Sequence, residues 1–183
     1  MTKQKVEKYL GDKKKFAIRF LPIKNDSEFA FCHLVLNGEI IGDQNESCYL
    51  NTWKNSLKEI KEKIVNSSKK LFHKEFENRS DREIFELIWK ANQCEQDFNP
   101  KYNYLPVLEN EIWSNCNIGI DETTDAYLIT MIENKGLIKF IWEGWRVPCP
   151  VDKIGKLNSV SIEKKIVIET LDHCIVEIEK KKQ

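Results

Sequence analysis

The sequence predicts an α+β domain: an antiparallel β-sheet of about five to seven strands built from hairpins, with two to four α-helices packed on it. Three observations carry this. The first is the stretch Ala126 to Pro148, where two runs of β-branched, aromatic and long apolar residues, Tyr127 to Glu133 and Leu137 to Trp145, flank Asn134-Lys135-Gly136. The second is Asn37-Gly38 between apolar runs, the strongest short-range hairpin signal. The third is apolar residues at helical spacing after Asn51 and after Glu163. At 183 residues the chain fits one domain, 1–183, with a substantial core.

Taken in order, residues 1–14 are lysine-rich and weakly patterned, and read as a flexible start or a short amphipathic one through Val6, Tyr9 and Leu10. Phe16 to Leu21 alternates as a strand with Phe16, Ile18 and Phe20 on one face. After a turn at Pro22 to Ser27, Glu28 to Leu36 is a second strand, and Asn37-Gly38 returns the chain into Glu39-Ile40-Ile41-Gly42, which makes a three-stranded meander. Asn51 is the expected N-cap of an amphipathic helix whose stripe is Trp53, Leu57, Ile60 and Ile64. Glu59 and Lys63 stand four apart in the favourable order. Asn66 to Ser68 interrupts, and Leu71, Phe72 and Phe76 carry a short extension. Ser80-Asp81-Arg82-Glu83 is a capping box opening a second helix with Ile84, Leu87, Ile88 and Trp89 as its stripe.

From Asn92 to Asp125 the pattern weakens; Tyr104 to Leu108 and Glu111 to Trp113 are strands or turns. The charge there is lopsided. Glu95, Asp97, Glu109, Glu111, Asp121, Glu122 and Asp125 are opposed only by Lys101. The hairpin follows. Asn134-Lys135-Gly136 has the chemistry of a type I turn closed by a glycine bulge. If Glu133 pairs with Leu137, Ile132 faces Ile138, Thr130 faces Phe140 and Leu128 faces Trp142, giving an apolar face to bury on the helices that begin near Asn51 and Glu163. Val147 to Lys156 is a loop, Leu157 to Ile162 a last strand, and Glu163 to Lys182 a closing helix with lysines at its negative dipole end.

Composition restricts function. The chain carries 29 basic and 29 acidic residues, a formal net charge of zero. That argues against direct nucleic-acid binding, which needs a basic excess. No apolar run approaches a membrane span and the N-terminus lacks a signal-peptide core, so a cytoplasmic location is expected. The six cysteines, Cys32, Cys48, Cys94, Cys116, Cys149 and Cys174, form no CxxC pair and read as free, semi-buried thiols.

No catalytic, metal or cofactor motif emerges: there is no phosphate loop, no GxSxG elbow, and His33, His73 and His173 lack metal spacing. The carboxylates Glu109, Glu111, Asp121, Glu122 and Asp125 allow three readings: a solvated acidic loop, the site of a small carboxylate-dependent enzyme (with a cysteine nucleophile as a variant), or an anionic surface that docks a basic partner. Tyr102, Tyr104 and Trp113 lie in the same segment, and such aromatics anchor interfaces. Trp145 with Arg146 reads as plain packing ahead of a stacked cation–π pair or ligand platform.

The order of elements carries one further signal: KFAIRFL, a hairpin ending in NGEIIGD, an amphipathic helix, a variable middle, then IKFIWEGWR and SVSIEKKIVIETLDHCIVEIE. This pattern resembles a family of immunity proteins from bacterial polymorphic-toxin and contact-dependent growth-inhibition systems. The resemblance implies a non-enzymatic, cofactor-free protein that binds the C-terminal toxin domain of its cognate effector. A nuclease toxin would suit an acidic docking surface, and a monomer is expected. The residues expected to meet the partner are Glu109, Glu111, Trp113, Asp121, Glu122, Asp125, Trp145 and Arg146.

Overall fold

The computed structural model describes residues 7–66, 68–93 and 115–181. The expected α+β architecture is present, its strands divided between two antiparallel sheets. The first sheet contains β1 (Lys8–Asp12), β2 (Phe16–Pro22), β3 (Phe29–Leu36), β4 (Glu39–Ile41) and β5 (Cys48–Tyr49). Its order is β1-β2-β3-β4, with β5 also pairing β3. The second has the order β6-β7-β8-β9, formed by Asn117–Ile118, Tyr127–Asn134, Leu137–Gly144 and Leu157–Glu163. Three α-helices complete the described residues: α1 (Leu50–Asn66), α2 (Asp81–Gln93) and α3 (Lys164–Lys181).

The N-terminus departs from expectation. Lys8–Asp12 is an ordered edge strand, paired residue for residue with β2 from Lys8↔Phe20 to Asp12↔Phe16. Gly11 makes this possible. Its φ is +100°, and a Cβ there would strike the Phe16 carbonyl and the Thr170 side chain of α3. Helix α1 also begins one residue before Asn51. Its first residue, Leu50, is tied by its N–H to the Glu28 carbonyl, so the strand β5 runs directly into the helix. The expected stripe of Trp53, Leu57, Ile60 and Ile64 is buried, and Lys63 meets Glu59 at 3.1 Å. The capping box is reciprocal: Ser80 N–H donates to Glu83 Oε2 (2.8 Å), and Glu83 N–H donates to Ser80 Oγ (3.3 Å).

The central hairpin has a different register from the one expected. Asn134 pairs with Leu137, so only Lys135 and Gly136 form the loop. Both have positive φ, 51° and 81°, as a type I′ turn requires. Asn37 and Gly38, at 50° and 82°, repeat it between β3 and β4. The twist of a two-residue I′ turn matches that of the strands, which outweighs the cost of a left-handed lysine. The shift re-pairs both faces. Ile129 now faces Trp142 and Met131 faces Phe140, while Thr130 faces Ile141 and Ile132 faces Lys139.

Both faces of the hairpin are covered. Phe140 stacks on Phe16 of the first sheet, ring centroids 5.2 Å apart and planes 8° from parallel. This contact, together with α3, holds the hairpin's apolar face. The other face lies under α2. Asp81 accepts from Lys139 Nζ (2.7 Å) and Ser159 Oγ, and Arg82 reaches Glu143. Partial burial works to raise the Asp81 pKa, but the bonds from Lys139 and Ser159 outweigh it and hold the carboxyl below its usual range. Trp142 is core, with its indole N–H donating to Glu39 Oε2 (3.3 Å) across to the first sheet.

Candidate functional site

Glu109, Glu111 and Trp113 lie outside the described residues. The other five expected partner-facing residues fall at one end of the second sheet, where the chain enters β7 and leaves β8. They do not play one role.

Asp121 belongs to the fold. It caps the single 3-10 turn Glu122–Thr124, its Oδ1 accepting from Thr123 Oγ1 (2.6 Å) and Thr123 N–H (3.1 Å). Burial pushes its pKa up, against the Thr123 hydrogen bonds and the nearby Trp53 indole, which favour the charged form. The Trp53 Nε1 is itself buried and completes no hydrogen bond among the described residues. Asp121 is therefore withdrawn from the solvent-facing charge. Glu122 and Asp125 remain exposed.

Asp125, Trp145 and Arg146 form one cluster. Trp145 N–H donates to the Ala126 carbonyl (3.0 Å), and its indole N–H donates to the Asp125 carbonyl (2.7 Å). The Arg146 guanidinium lies 4.5 Å from the Trp145 ring centroid, and its Nη2 is 3.7 Å from Asp125 Oδ2. The stacked pair, the less favoured expectation, is what forms, and Trp145 stays 46% exposed. The indole is thus fixed by its edge and covered in part by a cation on one face, leaving an ordered aromatic surface toward solvent.

The β4–β5 loop contributes two carboxylates that sequence reading missed. Asp43 N–H donates to the Thr123 carbonyl (2.8 Å), tying residues 42–47 to residues 121–125. Gly42, with φ +120°, is needed for this approach, since a Cβ there would lie 3.1 Å from the Thr123 oxygen. Residues 42–47, which contain Asp43 and Glu46 and no Lys or Arg, thereby lie beside the loop of Glu122 and Asp125, while the Asp43 carboxylate itself accepts from Asn45 N–H (2.9 Å). The only signal for this was Gly42-Asp43 after the β4 strand, which marks a turn but not its neighbour.

Beneath this surface, His33 Nε2–H donates to the Asp43 carbonyl (2.9 Å) while Nδ1 accepts from Arg19 Nη1 (3.4 Å). Arginine only donates, so the ring is the neutral Nε2–H tautomer. Burial lowers the His33 pKa, and the Arg19 charge adds to that, against the Asp43 carbonyl, which raises it. The five described cysteines are free and buried, and Cys94 lies outside the described residues. Burial pushes the Cys116 thiol up to about 12 and Cys174 higher still, while Cys32 is raised chiefly by its contact with Cys48; such thiols are poor nucleophiles. Among the described residues no group of three or more His, Cys, Asp or Glu is placed to hold a metal ion.

Carboxylates beside a stacked tryptophan suit protein recognition. Residues 3–177 match the model of the family described as Immunity protein 42. The chain belongs to the Immunity protein 42 family. This immunity protein also shares its fold with the crystal structure of CdiI from Burkholderia dolosa AUO158, at a TM-score of 0.62 and 13% sequence identity, covering 93% of this chain and 99% of that one. No curated protein matches it. Family membership gives the Immunity protein 42 chain its role: it binds and neutralises a cognate toxin protein. No described helix is long and apolar enough to cross a membrane.

Proposed function

We propose that this immunity protein acts in the cytoplasm as a monomer, neutralising the C-terminal domain of its cognate effector by occupying that domain's active site rather than by catalysis. The face that does this contains Asp43, Glu46, Glu122, Asp125, Trp145 and Arg146, with Glu109, Glu111 and Trp113 extending it on the grounds of sequence alone. The toxin is a nuclease, whose phosphate-binding cleft must be basic and so complements clustered carboxylates.

The observation that supports this best is the joining of two acidic loops by the Asp43 N–H to Thr123 carbonyl bond, next to the Trp145–Arg146 stack. Carboxylates held on ordered loops lose little freedom on binding, and a half-exposed tryptophan beside them supplies an anchor. The test is affinity for the cognate toxin domain, with the triple charge reversal Glu46→Lys, Glu122→Lys, Asp125→Lys. Asp43 and Asp121 stay unchanged because each carboxylate accepts a backbone N–H of its own loop. A Kd weakened by about 100-fold or more is expected for three lost complementary charges. An unchanged Kd would sink the placement, and a toxin domain that cuts neither DNA nor RNA would sink the nuclease assignment.

A further inference from the structure

The loop joining β8 to β9 presents apolar side chains that the fold does not use. Trp145 is 46% exposed, Val147 69%, Val151 78% and Ile154 37%. A single exposed valine needs no explanation, but four large apolar side chains within ten residues form a patch. Mobility does not account for it, because the loop is pinned along its length. Cys149 N–H donates to the Arg146 carbonyl and Lys153 N–H to the Pro150 carbonyl. Gly155 N–H returns to the Gly144 carbonyl (2.9 Å), and Lys153 Nζ reaches Glu39 of the first sheet (3.0 Å). Cys149 is buried as a wedge against Gly144, where any side chain would collide with its sulfur. The fold thus spends a buried cysteine, a glycine and an inter-sheet ion pair on holding valines in water.

We infer that this loop is the apolar anchor by which the immunity protein seats its toxin, and that it fits an apolar cleft with a basic rim. The inference rests on the proposed docking face, with which the patch is continuous through Trp145. Charge argues for the rim. Arg146 is matched by Asp125 and Lys153 by Glu39, Lys156 stands at the far end where the chain enters β9, and on the Trp145 side the indole is bonded to the acidic loop of Glu122 and Asp125, to which Asp43 ties residues 42–47. An apolar centre edged by carboxylates is complementary to an apolar cleft edged by bases. A pre-ordered loop loses little entropy on insertion, which suits a hot spot.

The test uses the full chain and the toxin domain encoded beside its gene. Val147→Lys with Val151→Lys should weaken the Kd by at least about 100-fold, and the uncharged pair Val147→Ser with Val151→Ser by about 10-fold. Val176→Lys, at a half-exposed valine of α3, should change it less than about 3-fold. Thermal melting should show all three variants folded. If the wild type fails to bind that domain, the docking reading and this inference fall together. If the wild type binds and both loop variants bind equally well, the inference alone is overturned. A wild-type dimer that the lysine variant dissociates, with toxin affinity unchanged, would make the loop a self-association surface and also overturn it.

Discussion

Replacing Asp121 by alanine removes an acceptor that serves both the backbone N–H and the hydroxyl of Thr123. Loss of such a cap costs about 1 kcal/mol, whereas asparagine keeps the acceptor without a buried charge. Urea denaturation should therefore show Asp121→Ala destabilised by about that amount and Asp121→Asn within about 0.5 kcal/mol of wild type. His33 gives a pH dependence. Its folded pKa lies below the ordinary histidine value of 6.5, so the unfolded chain takes up the proton first as pH falls. The stability it contributes is complete above pH 6.5 and is lost as pH drops through that value toward the lower folded pKa. The urea midpoint should fall between pH 8 and pH 5.5, and His33→Gln should flatten that slope. Neither role was legible in the sequence. Asp121 counted as one of a run of acids, and His33 read only as a histidine without metal spacing, with no sign that Arg19 stands opposite it.

Turns and caps account for what could be read at the level of elements. The stripes of α1 and α3, the Ser80–Glu83 box and the Asn37-Gly38 turn were all visible, because each is written in local residue types. The register of the β7–β8 hairpin was not. Asn134-Lys135-Gly136 offers glycine for a bulge, and lysine gives no sign that it will take a left-handed conformation. That backbone still costs the lysine about 1 kcal/mol relative to glycine. Lys135→Asn should raise stability by about 0.5 kcal/mol, and Gly136→Ala should lower it by about 1 kcal/mol, both measurable as shifts in denaturant midpoint. Strand β1 was hidden for a related reason: it is held against α3 by the close approach of Gly11 to Thr170, which lie far apart in the sequence.

Across the whole molecule two acidic loops about 80 residues apart in the chain are brought together by the Asp43 N–H to Thr123 carbonyl bond, a convergence that no window of sequence contains. The formal charge of zero conceals it. If the carboxylate face steers a basic toxin, raising NaCl from 50 to 500 mM should slow association by about 10-fold or more while dissociation changes little. Stopped-flow mixing separates the two rates, and a salt-independent association rate would count against steering. Of the proposed face, the nearness of Glu122, Asp125, Trp145 and Arg146 was legible in the sequence, while residues 42–47 needed the fold and the β8–β9 valines read only as a loop.

The Trp145 stack also has an optical consequence. Trp53 and Trp142 are buried and Trp89 is half-buried, so Trp145 is the exposed indole among the described tryptophans. Acrylamide, a neutral quencher, should therefore reach it ahead of the buried indoles. In a Trp113→Phe background, collisional quenching of native fluorescence then reads this side chain without a label, and loss of the acrylamide-sensitive fraction on adding toxin would report occupancy of that end of the sheet directly.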